Sequence, residues 1–144
     1  MRIAFVIARV GEERNIIQEL SLILVEELKR CGNEVTVFPF TRKKLLNFLA
    51  YRKLREHDLI LIANVGLQCA YYSLLKKRIG KPFVAISFGS DIRATRNRWI
   101  NLFNRLSRKA VDLLIVINPD LVELAKKRGY KHVEYVHSWA EALA

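Results

Sequence analysis

A glycine, a hydroxyl and a carboxylate follow one another at Gly89, Ser90 and Asp91, directly after an apolar run over residues 83–88, and Arg93, Arg96 and Arg98 come just beyond. Gly89 lets the backbone take a positive φ or approach a ligand closely, while Ser90 and Asp91 offer groups suited to a sugar or to water. The guanidinium forks of Arg93 and Arg96 match the oxygens of a phosphate. The plainer reading is a strand-ending turn in which Asp91 caps the next helix and the arginines line a solvated face. Position in the fold has to decide between these readings.

Other constellations are thinner. The stretch Arg9-Val10-Gly11-Glu12-Glu13-Arg14 has a single glycine where a dinucleotide-binding turn needs G-x-G-x-x-G, so an NAD or FAD site is disfavoured. Gly11 still allows a sugar or phosphate to come close to the backbone. Cys31 and Cys69 form no CxxC pair, and His57, His132 and His137 have no partner at ligand spacing, so no metal site is expected and no nucleophile triad is visible. Tyr71, Tyr72 and Trp99 read as packing rather than as a stacking platform for bases.

The formal charge of +11 on 144 residues resembles a nucleic-acid footprint, but much of it sits where helices end. Lys29-Arg30 precede Cys31-Gly32, Lys76-Lys77-Arg78 precede Gly80 after one residue, and Lys126-Lys127-Arg128 precede Gly129. That distribution disfavours a nucleic-acid partner. Arg42, Lys43, Lys44, Arg52, Lys53 and Arg55 need another account, because they interleave with leucine and aromatic residues. Such a segment either packs as a crossover helix or lays a basic amphipathic face on an anionic membrane surface. No apolar run is long enough to span a bilayer, and the opening residues read as a first strand rather than a signal peptide. Two unpaired cysteines fit a reducing, cytoplasmic setting.

The elements that must position these groups follow from the patterning. Apolar runs at 3–8, 34–40, 59–63, 83–88, 113–117 and a weaker 133–136 predict six strands, several of them apolar on both faces. Between them, Ile16, Ile17, Leu20, Ile23, Leu24 and Leu28 keep helical spacing, as do Leu67, Ala70, Tyr71, Leu74 and Leu75, and Trp99, Leu102, Phe103 and Leu106. A further helix starts near Asn118-Pro119-Asp120 and closes at Gly129. The expected fold is α/β: one Rossmann-like, doubly wound, mostly parallel sheet of about six strands with helices on both faces, filling residues 1–144 as a single domain. Ligands of such sheets bind beyond the carboxyl ends of the strands. That rim would carry Gly11, Asn64, Gly66, Phe88, Gly89, Ser90, Asp91, Arg93 and Arg96.

Taken in order, residues 1–6, 28–37, 58–62, 80–84 leading to Gly89-Ser90-Asp91, and 110–121 resemble the N-terminal domain of GT-B glycosyltransferases of glycosyltransferase family four, group 1. The resemblance implies retaining transfer from a nucleotide sugar without a metal or other cofactor, in a cleft between two Rossmann-like domains. This chain would hold a sugar or lipid-linked acceptor. A C-terminal domain, not contained in these residues, would bind most of the donor, and residues 133–141 fall where such enzymes cross into it. Alone, the chain would be inactive; in the cell it would be cytoplasmic, peripheral at the inner membrane face. Two departures stand out: Phe88 occupies a position where the family often has histidine, and Gly11 stands alone where paired glycines are common. Phe88 can neither hydrogen-bond nor share a proton, which leaves as an alternative a non-catalytic binding subunit or a peripheral membrane adaptor of the same fold.

Overall fold

The structure, a computed structural model of the 144-residue chain, describes residues 1–8, 16–40, 50–93 and 96–136. Six strands form one sheet: β1 (Arg2–Ala8), β2 (Glu34–Phe40), β3 (Leu59–Ala63), β4 (Phe83–Ser87), β5 (Leu113–Val116) and β6 (Val133–Tyr135), in the order β2-β1-β3-β4-β5-β6. Every neighbouring pair is parallel, with registers such as Ile3 beside Val35 and Ile62 beside Ala85. Pro39 lies in β2, an edge strand, where a missing N–H does not interrupt a ladder on the open side.

Seven helices join the strands: α1 (Ile16–Arg30), α2 (Ala50–Leu54), α3 (Leu67–Leu74), α4 (Lys76–Ile79), α5 (Ser90–Arg93), α6 (Arg98–Ser107) and α7 (Asp120–Lys127) among the described residues. Strand alternation sends Ala4, Val6, Ile60, Ile62, Phe83, Ala85, Leu114 and Val116 to one face, where Leu54, Cys69, Tyr72, Ile79, Ile92 and Leu121 from α2, α3, α4, α5 and α7 complete a buried core. The other face presents Ile3, Phe5, Ile7, Leu61, Ala63 and Ile86 to Leu24 and Val25 of α1. Beside α1 this second face opens into an apolar groove of about 570 Å³ over Leu59, Leu61, Val84, Leu113 and Ile115.

Helix ends follow the chemistry of their sequences. At the end of α1 the Asn33 N–H reaches the Leu28 carbonyl (3.2 Å) and the Gly32 N–H the Lys29 carbonyl (3.0 Å), a closure that needs the left-handed φ of +88° at Gly32. The same pair of bonds closes α7 through Gly129 and Tyr130, at 3.0 and 3.2 Å. Pro119 has helical dihedrals and the Asn118 carbonyl accepts from Leu121, so α7 begins where the sequence places it, although by a backbone bond rather than a side-chain cap.

Two helices present different faces from those the spacing implies. In α1 the inward stripe is Ser21, Leu24, Val25 and Leu28, centred so that Ile23 is half exposed. In α6 the innermost residues are polar, Asn104 and Ser107, and Trp99 is 67% exposed rather than packed.

Candidate functional site

Strand order places the reversal of winding between β1 and β3. From β1 the chain steps outward to β2; from β3 it steps the other way through β4, β5 and β6. The carboxyl ends of β1 and β3 are therefore where two crossovers part and a crevice opens. The loop after β1, with Gly11, lies outside the described residues. The loops after β3 and β4 are described, and they are fastened to each other.

The fastening is the Asp91 carboxylate, 5% exposed. One oxygen accepts the Val65 N–H at 2.7 Å, tying the loop after β3. The other accepts the Ser87 hydroxyl at 2.6 Å and the Gly89 N–H at 3.2 Å, shaping the turn after β4. Its donors are all neutral. Burial pushes the Asp91 carboxyl above its ordinary value, and the bonds from Ser87, Val65 and Gly89 pull against that without overcoming it. Gly89 itself sits at φ +115°, a conformation that strains any residue with a Cβ, while its carbonyl accepts from Ile92 and Arg93.

On the β3 side Asn64 takes φ +74°, the one positive φ outside glycine among the described residues. Its N–H donates to the Ile86 carbonyl at 2.8 Å, extending the β3–β4 pairing by one step, and its side-chain Oδ1 is buried with no hydrogen-bond partner among the described residues. A left-handed, non-glycine residue with an unsatisfied buried oxygen carries strain and desolvation together, a combination that concentrates at binding sites. Gln68 in the first turn of α3 folds back to donate to the Ala63 carbonyl (2.8 Å) and the Asn64 carbonyl (3.3 Å), holding the strand end from behind. Gly66 precedes α3, and a Cβ there would meet the Gln68 Oε1 at 3.1 Å, so a larger residue would push against that brace.

A polar column runs from this turn into α6 and the connection between α7 and β6. Asn104 donates to the Asp91 carbonyl (2.9 Å) and accepts from the Tyr130 hydroxyl (2.8 Å). Burial raises the Tyr130 phenol far above its ordinary range, so it remains a donor. Cys69, fully buried nearby in α3, is pushed up to about 11 by burial, which removes it as a thiolate nucleophile near neutrality.

The remaining sequence candidates take the following places. The backbone of Ser90 opens α5. Phe88 is half-buried on the α1 face of the sheet. Arg93 is exposed and paired with Asp120 at the start of α7, bridging the loops after β4 and β5. Arg96 is exposed, without an ion pair among the described residues. Arg52, Lys53 and Arg55 point to solvent at α2 while Leu54 is buried; Arg42, Lys43 and Lys44 lie outside the described residues, as does the 137–141 stretch. Among the described residues no three of His, Cys, Asp and Glu converge as a metal cluster would.

Four contributors escaped the sequence reading: Gln68, Ser87, Asn104 and Tyr130. One carried a signal, since Gln68 is a polar residue on the helical face it shares with Tyr71 and Leu75, whereas Asn104 lies off the apolar stripe of its helix.

No protein-family model matches the chain, and no curated protein sequence matches it. Among solved structures it is similar in fold to HepE of Anabaena, crystallised in complex with UDP, with a TM-score of 0.67 at 15% identity over 94% of this chain. The chain spans 43% of that protein's length.

Proposed function

We propose that this chain is the acceptor-side, N-terminal domain of a two-domain, nucleotide-sugar-dependent glycosyltransferase of the GT-B, family-four kind, inactive without its donor-binding partner domain. The observation that carries the reading is the joined rim: the loops after β3 and β4 are locked together by Asp91 next to the β1–β3 point where the winding reverses, with the Asn64 oxygen buried and, among the described residues, unpartnered beside the lock. The fold likeness to a protein solved with UDP, of which this chain matches under half, supports both the nucleotide and the missing lobe.

In this account each group has a task. Asn64 meets a hydroxyl of the sugar or acceptor, which would satisfy its Oδ1 through a donated hydrogen bond. Gly66 and Gly89 allow close approach, Ser90 offers a further hydroxyl contact, and Phe88 walls the pocket. Arg93 and Arg96 meet a phosphate of acceptor or donor, Arg93 by exchanging Asp120 for it. Asp91 is a positioning residue, since its oxygens are already occupied by Val65, Ser87 and Gly89. Chemistry that develops positive charge on the transferred sugar would need its leaving phosphate stabilised, and cations at the rim serve that need.

The test is made on the intact protein: UDP-sugars are offered with and without candidate acceptors, and UDP release is followed. Turnover that falls with Asn64→Ala and Arg96→Gln supports the reading. An intact protein that neither binds nor consumes any nucleotide sugar ends it.

A further inference from the structure

Helix α6 is turned the wrong way for a helix that serves only the core. Its apolar residues, Trp99, Ile100, Leu102, Phe103 and Leu106, form a continuous stripe, and such a stripe ordinarily faces inward. Here Asn104 and Ser107 take the inward positions, at 2% and 0% exposure, because Asn104 is held by the Asp91 and Ile100 carbonyls and by Tyr130. The stripe is thereby rotated so that one edge faces solvent: Ile100, Phe103 and Leu106 are half-buried, while Trp99 is 67% and Leu102 39% exposed, with the Trp99 and Phe103 rings 6.4 Å apart.

What borders the stripe narrows its occupant. Arg98, Arg105 and, just past the helix end, Lys109 are exposed alongside Trp99 and Leu102, with Arg96 immediately before. From Arg93 to Lys109 the sequence has no acidic residue. Among the described residues none of Arg96, Arg98 and Arg105 is paired with a carboxylate. A second copy seated face to face would bring these like charges together. An indole with aliphatic neighbours, ringed by arginines, is the composition of a helix that lies in the interface of a bilayer carrying negative headgroups.

We propose that α6 docks the protein on an anionic membrane surface, with Trp99 and Leu102 entering the headgroup boundary and Arg98, Arg105 and Lys109 meeting lipid phosphates. This goes beyond the assignment of the rim and does not depend on it. It also gives the polar column a consequence: the Asn104 bond to the Asp91 carbonyl fixes the docking helix rigidly to the rim turn, so a bilayer held by α6 has a set orientation relative to the candidate site.

The intact protein is mixed with vesicles of phosphatidylcholine alone or of phosphatidylcholine with phosphatidylglycerol, and binding is read by flotation. The emission lost in a Trp99→Phe variant is taken as that of Trp99. Binding to the anionic vesicles alone, lost at high salt and accompanied by a blue shift of Trp99, is the expected result. Trp99→Ser weakens it roughly tenfold and Arg98→Gln with Arg105→Gln about fivefold per charge, with thermal unfolding unchanged because all three side chains are exposed. Arg52→Gln with Lys53→Gln serves as the control on the other basic surface. The proposal is overturned if Trp99→Ser binds as the wild type does, or if the Arg52 and Lys53 variant alone abolishes binding. It is equally overturned if Trp99 in the free intact protein is already shielded from acrylamide, or if Trp99→Ser removes self-association rather than vesicle binding.

Discussion

Asp91 and Asp112 fasten strand ends at opposite poles of the sheet, and they are built to different specifications. Asp112 accepts the Phe83 N–H at 2.8 Å at the start of β4, is 55% exposed at its side chain, and is ion-paired with Lys76. Its partial burial would raise its pKa, but the bonds from Lys76 and Phe83 prevail and hold the carboxyl below its ordinary value. Asp91, beyond the end of β4, makes the same kind of bond to a backbone N–H yet is buried, has only neutral donors and is pushed upward. Fastening a strand end thus requires neither burial nor the desolvation that comes with it. Among the described residues the costly version stands at the rim, where it holds two loops at a fixed separation.

The comparison breaks most visibly if Asp91 is removed. Asp91→Ala leaves the Val65 and Gly89 N–H groups and the Ser87 hydroxyl without their acceptor, and should cost about 3 kcal/mol in urea unfolding. Gly89→Ala should cost about 2 kcal/mol through its φ of +115° and not through contact, since an added Cβ would meet only Leu121 and Arg93 at 3.7 Å or more.

Proton linkage sharpens the contrast, because the two carboxyls slope in opposite directions. With its folded pKa raised, Asp91 binds a proton more tightly when folded; its contribution is fullest below the ordinary carboxylate range near 3.9 and declines as pH rises through the raised value. With its folded pKa lowered, Asp112 contributes above that range and the contribution is lost as pH falls through the lowered value. Asp91→Asn should therefore flatten the falling limb of a stability profile measured above pH 4 or so, and Asp112→Asn the rising limb below it. At neutral pH Asp112→Asn should cost no more than about 1 kcal/mol, since an exposed pair is screened by solvent and the amide oxygen still accepts from Phe83.

The fold was largely legible in the sequence because parallel strands covered by helices must be apolar on both faces, and residues 3–8, 59–63 and 83–88 announce this plainly. Helix ends were legible too, from Gly32, Gly80 and Gly129 behind their basic turns. The rim could be located but not furnished. Asp91 read either as a carboxylate for a sugar or as a cap for the next helix, because nothing local reveals that Val65, 26 positions away, supplies its donor. The orientation of α6 was hidden for a related reason: Asn104 is drawn inward by Tyr130 and by the Asp91 carbonyl, contacts made across 26 and 13 positions, and periodicity alone assigns that face to Trp99 and Leu102.

The measurement closest to the central claim replaces Asn64 by glycine in the intact protein and reads unfolding and sugar-nucleotide turnover side by side. Glycine accepts φ +74° freely and removes the unpartnered oxygen, so the account predicts stability held to within about 1 kcal/mol or raised, together with a turnover that drops because a ligand contact has gone. Lowered stability with turnover intact would contradict it, since Asn64 would then be a structural residue and the joined loops no more than a well-made turn.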